Sequence, residues 1–340
     1  MFAIMNQKIK SLWMGLTALL MGWHTTPAQN SCFFPGDTSR WESRFAMPGI
    51  TTGTVYSLLP SQDGSLLIGT STTARFGGDT YLGSIARWDG ARYRPLGTGL
   101  YGLSGSMTIY AMVEDAAGNV YVGGMFTGAT NPGGGVVSSR NIIKWDIASQ
   151  QWEALALGLN GSVHALAIDG DTLYVGGTFT QTEGGSPIPM SKVGRWRVDT
   201  GSWEALGAGV GSTTPGLNGQ VHALAIGNGG ELFVGGAINQ AGGQPAYSIA
   251  RWTPGSGWDD MSGGLPSFAI DANGVPTGVS SASTVQSLAF HPGTGQLYAG
   301  GYFGEYIGSA SIALAAWYHS EQLAAFRDLM RKAPGGELLV

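Results

Sequence analysis

The chain has 340 residues, 57 of them glycine, with 11% charged and 10% aromatic residues and a net charge of −5. Globular chains carry about 7% glycine and ~25% charged residues, so this composition suits many packed strands joined by tight turns. Eleven tryptophans argue against disorder, and the lack of any basic run beyond Lys8 and Lys10 argues against binding through nucleic-acid phosphates.

Residues 1–28 read as a secretory signal peptide. Lys8 and Lys10 precede an apolar stretch over residues 12–23, and Thr26 and Ala28 are small residues at the −3 and −1 places of a cut after Ala28. Twelve apolar residues are short of the ~20 that span a bilayer, so no stable membrane insertion is expected once the segment is removed. The location expected is secreted or cell-surface. Cys32 is the sole cysteine, which leaves no internal disulfide. It lies where a lipoprotein carries its lipidated cysteine, but the preceding Ala28-Gln29-Asn30-Ser31 lacks the leucine such a site prefers; an incidental thiol is expected.

Residues 29–317 repeat one unit five times, starting at Val55, Ile109, Val163, Val221 and Val285, with spacings of 54, 54, 58 and 64 residues. The third copy reads VHALAI, a short turn around Asp169-Gly170-Asp171, LYVGG, Phe179, a glycine-rich loop, KVGRW, a turn, and WEALGAGV. The run from Val163 suits a first strand buried on both faces, and the turn after it suits a tight hairpin. The second strand ends at Gly176-Gly177, with the same pair at Gly123-Gly124, Gly235-Gly236 and Gly300-Gly301, and Gly69-Thr70 in the first copy. Such pairs admit close backbone approach or positive φ. No helix pattern or Lys-Ser/Thr follows them, which speaks against a phosphate loop. Phe126, Phe179 and Phe303 come next. The third strand ends at Trp88, Trp145, Trp196, Trp252 or Trp317, and the fourth opens at Tyr93, Trp152, Trp203 or Trp258. One aromatic in every copy predicts packing between neighbouring units.

A period near fifty with four short strands per unit predicts an all-β propeller of four-stranded blades. The fifth copy holds three strands and stops near Trp317. Residues 41–50 look like the end of a repeat, so five blades closed by an N-terminal strand are expected, although a truncated longer propeller would begin and end the same way. Residues 318–340 break the pattern. Leu323, Phe326, Leu329 and Met330 fall at helical spacing, with Ser320 as a cap and Pro334 as a stop.

The LYVGG, IARW and fourth-strand Trp resemble the kelch-type repeat of galactose-oxidase-like propellers. IARWDG over residues 85–90 with PLGTGL over 95–100 is closer still to repeats of the cortical cell-polarity marker family and of exported bacterial proteins with the same unit. The resemblance implies a propeller used as a binding or scaffold surface, with enzymes in the minority. A copper enzyme of this kind needs a Tyr–Cys crosslink, and the only cysteine here precedes the repeats. The five histidines lack metal-site spacing, so no metal or other cofactor is expected.

One position stands out. Tyr56, Tyr110, His164, His222 and Gln286 each follow the opening apolar residue of the innermost strand. Five polar groups at one blade position would ring the mouth of the central channel. They form either a small ligand-binding site or a set of hydrogen bonds to neighbouring blades. Asp63, Asp115, Asp169 and Asp171 sit in turns that favour aspartate for local reasons, and no repeated carboxylate pair, calcium loop or nucleophile elbow is present, so no catalytic residue is assigned. The variable segments 70–84, 127–140, 180–191, 237–248 and 267–283 are where recognition would otherwise lie. The sequence therefore points to an exported, non-catalytic binding module for an unidentified protein or glycan. The alternative is a lectin or carbohydrate-active enzyme using the channel mouth.

Overall fold

A computed structural model describes residues 50–76, 80–103, 106–211, 219–261, 264–265, 267–270, 276–280, 283–305 and 313–317. These belong to the unit Met47–Val340; the other unit, Met1–Ala46, the signal peptide and the C-terminal helix expected from the sequence lie outside the described residues. The described residues are all β, without an α-helix.

Each repeat folds into an antiparallel sheet that runs in chain order. Sheet one is Val55–Pro60, Leu66–Phe76, Thr80–Trp88 and Tyr93–Pro95. Sheet two is Thr108–Glu114, Val120–Met125, Ile142–Asp146 and Gln151–Ala154, joined to sheet one by the single pairing Ser71–Thr108. Sheet three is Val163–Asp169, Thr172–Gly177, Val193–Arg197 and Ser202–Ala205. Sheet four is Gln220–Ile226, Leu232–Ala237, Ile249–Thr253 and Gly257–Asp259. Sheet five has three described strands: Thr284–His291, Gln296–Tyr302 and Ala313–Trp317. The first strands of successive sheets lie side by side, from sheet one through to sheet five. The arrangement is propeller-like: each sheet covers a face of the next, and four hydrophobic clusters are built from residues of adjoining sheets.

The paired glycines do two separate jobs, both steric. A Cβ on the first of them would meet the opening side chain of the next sheet: Val163 at Gly123, Val221 at Gly176 and Val285 at Gly235, with Ile109 at Gly69 in the first copy. A Cβ on the second would strike the carbonyl oxygen just before its own sheet's first strand or at its first residue: Thr108 at Gly124, Ser162 at Gly177, Gln220 at Gly236 and Thr284 at Gly301. Close approach rather than positive φ is thus the reason for the pair; Gly176-Gly177 ends its strand as expected, and in the second, fourth and fifth sheets one further residue follows the pair. The turn after the fourth strand is where left-handed backbone matters. Gly158 has φ 83°, and a Cβ there would strike Arg140 backbone; two residues earlier Ala156 takes φ 53°.

One expectation changes. The first strands are half-buried rather than buried on both faces; Val163–Asp169 keeps Val163 and Ala165 buried and leaves the residues between and beyond them partly open. At the N-terminal end, Ile50–Thr52 pairs with Arg75 and Phe76 of sheet one, and the closing strand expected over residues 41–50 reaches the described residues only at Ile50. Residues 41–49 lie outside the described set. Closure of sheet one onto sheet five is not seen among the described residues: Val55 and Leu58 on the outer face of sheet one are 41% and 59% exposed.

Candidate functional site

The five positions singled out in the sequence share a backbone feature. In every sheet the pairing between first and second strand slips by one residue at that position. Val163 faces Gly177 and Ala165 faces Gly176, leaving His164 as the extra residue of a β-bulge. The same slip falls at Tyr56, Tyr110, His222 and Gln286. A bulge bends its strand and re-aims side chains, and five bulges in register present one side chain each along the row of first strands.

Four of these side chains form an unbroken row of rings. Tyr56 meets Tyr110 edge-on at 5.5 Å between centroids, and Tyr110 stacks on His164 at 4.5 Å with the planes 10° apart. His164 meets His222 edge-on at 6.0 Å. Gln286, the fifth position, is exposed and supplies an amide in place of a ring. Ring contact, not hydrogen bonding to the neighbouring sheet, is therefore what ties the row together. Tyr110, His164 and His222 are half-buried and Tyr56 is 51% exposed, so the row has a wet face.

Burial sets the charge of the row. It holds His164 down at about 4, with the nearby His222 adding to the effect, and it lowers His222 too. Both imidazoles are neutral at pH 7, and the row is a strip of flat, uncharged faces.

The other aromatic set is structural. Cross-strand pairs Trp145–Trp152, Trp196–Trp203 and Trp252–Trp258 sit 5.0, 5.2 and 5.4 Å apart. The fourth-strand indoles reach the preceding repeat: Trp203 Nε1 donates to the Leu155 carbonyl at 3.1 Å and Trp258 Nε1 to that of Leu206 at 2.7 Å. This agrees with packing between units. Phe126, Phe179 and Phe303 are buried.

The carboxylates are engaged elsewhere. Glu204 pairs with Arg195 at 2.6 Å and Glu153 with Lys144 at 2.6 Å across the third and fourth strands, and Glu114 accepts from Ser61 Oγ and the Gln62 amide, both at 2.9 Å. Asp63 takes the Arg87 ion pair, and Asp115 accepts from the Ala117 and Asn119 amides of its own turn. Among the described residues no group of three or more His, Cys, Asp or Glu is placed to hold a metal, and no helix is long and apolar enough to cross a membrane.

The variable segments are less free than their composition suggests. Gly128–Thr130 and Val136–Ser138 form a hairpin that pairs with Leu100–Tyr101 from the end of the previous repeat. Gln240–Ala241 and Gln244–Pro245 do the same with Val210–Gly211, and in the insertion Ser267–Ile270 pairs with Pro276–Ser280 on one side and with Gly304–Glu305 on the other. The segments staple neighbouring repeats. Sequence reading missed this because a two-residue strand carries no periodicity.

No family model matches the chain, and no curated protein is similar to it. Solved structures are. The extracellular domain of BT4673 from B. thetaiotaomicron is similar at 16% identity over 80% of this chain and 34% of its own, with a TM-score of 0.42. PorZ, a surface component of the type-IX secretion system of Porphyromonas gingivalis, is similar at 13% over 73% and 31%, with a TM-score of 0.41. The Niastella koreensis GH74 enzyme is similar at 16% over 76% and 46%, also at 0.41. The chain spans about a third of the length of the first of these. Likenesses this loose say nothing of ligand or partner, which rest on the chain's own residues.

Proposed function

We propose that this chain is a non-catalytic binding module, carried outside the cytoplasm on a β-propeller of kelch-type repeats, and that its ligand meets the strip Tyr56, Tyr110, His164, His222 and Gln286. The observation that supports this reading is the continuous ring contact along four adjoining first strands, made at a bulge in each. Neutral, flat faces with polar edges suit a ligand that stacks and accepts hydrogen bonds, such as a sugar ring or an aromatic peptide side chain. A glycosidase needs two carboxyl groups flanking one bond; none of the five residues of the strip is a carboxylate. Export is supported by the signal-like residues 1–28.

The test is a glycan and peptide binding screen on the purified protein, followed by Tyr110→Ala and His164→Ala. Each variant should weaken the best ligand about tenfold or more, as truncating a central stacking residue does, while melting temperature shows that the sheets persist. Turnover of a glycan by the wild-type chain, or equal binding by both variants, would overturn the reading.

A further inference from the structure

Four inter-sheet contacts share one construction. The opening residue of a first strand (Ile109, Val163, Val221 or Val285) is 0% exposed and stands against the first glycine of the preceding sheet. Leu166, Leu224 and Leu288, three residues further on, enter beside Gly123, Gly176 and Gly235. Each sheet is thus a knob for the sheet before it and a hole for the sheet after it.

The two ends of the stack hold unmatched halves of this contact. On sheet one the knobs are Val55 and Leu58, exposed by 41% and 59%. On sheet five the hole is Gly300: among the described residues, only Ser287 Oγ comes within 4 Å of the place of a Cβ. Ser287 repeats a detail of sheet one. There Ser57 Oγ lies beside Gly69 and donates to the carbonyl of the incoming knob, Ile109, at 3.3 Å. Sheets two to four carry alanine at this position, Ala111, Ala165 and Ala223.

We propose that the open face of sheet one receives sheet five of a second copy of this chain, head to tail. Val55 seats against Gly300 of the second copy with Leu58 beside it. Ser287 of the second copy donates to the Val55 carbonyl, as Ser57 does to Ile109, and Gln286 of the second copy comes next to Tyr56 and lengthens the strip. The surface continues an interface formed four times within the chain, which is why a copy fits it. Val55–Pro60 and Gln296–Tyr302 carry no charge on either side of the contact. Among the described residues the two halves are not engaged within one chain, since the knobs stand exposed. A contact of this kind is heterologous, so copies join into a ring if the rotation closes and into a row if it does not.

The test is sedimentation of the purified protein across a wide concentration range, with two variants. Wild type should associate, reaching the mass of two chains or more. Val55→Asp with Leu58→Asp should remain monomeric, and so should Gly300→Val. Mixed together, these two variants should form a one-to-one pair, because each retains the half that the other lacks. This mixing arm also shows that neither variant has simply unfolded. A wild-type protein that stays monomeric at every concentration, association unchanged by both variants, or two monomeric variants that fail to pair would each overturn the proposal.

Discussion

A methyl group on Gly176 would run into Val221 of the next sheet, and that single collision expresses how the repeats are joined. Gly176→Ala should therefore cost about 1–3 kcal/mol, the usual penalty for overpacking. Val221→Ala made in the same chain should recover part of the loss, because the side chain in the way is gone. Thermal or urea unfolding of the two single variants and the double variant checks this; costs that simply add would mean the residues do not meet. His164 gives a second expectation at this scale. Its pKa is about 4 in the fold against an ordinary 6.5. The unfolded chain therefore binds a proton between these values that the native chain does not. The stability tied to His164 is complete above pH 6.5 and is lost as the pH falls toward 4. His164→Gln should flatten the melting temperature of the protein over that window relative to wild type.

Among elements, the fourth strands offer a natural contrast. Trp203 Nε1 bonds the Leu155 carbonyl, whereas the buried Trp152 Nε1, which lies against Gly97, has no partner among the described residues. Replacing either indole by phenylalanine removes similar apolar area, but only Trp203→Phe strands a buried carbonyl. It should cost about 1 kcal/mol more than Trp152→Phe in urea unfolding. The strands themselves were legible in the sequence because LYVGG, IARW and the tryptophans recur at fixed spacing and each recurrence has one packing reason. The row from Tyr56 to Gln286 was legible as a shared position for the same cause. The bulge beneath it was not, since a bulge is set by how two segments pair and leaves no mark in either one alone. The pairing of Gly128–Thr130 with Leu100–Tyr101 was equally hidden: it joins two repeats through strands too short to alternate.

For the whole described unit, each sheet contacts chiefly its neighbours, so stability and assembly follow from nearest-neighbour interfaces. The repeat predicted that these interfaces exist; it did not reveal that sheet one would face outward, because Val55 and Leu58 read like Val163 and Leu166 in sequence. The first strands of successive repeats lie side by side, and the Tyr110–His164 stack reports on that most directly, since it joins two repeats at 4.5 Å. The deciding measurement is the proton NMR shift of the His164 imidazole in wild type and in Tyr110→Leu. His164 should be shifted upfield by the tyrosine face and return toward its free-peptide position in the variant. An imidazole already at its free-peptide position in wild type, unmoved by Tyr110→Leu, would contradict the side-by-side arrangement.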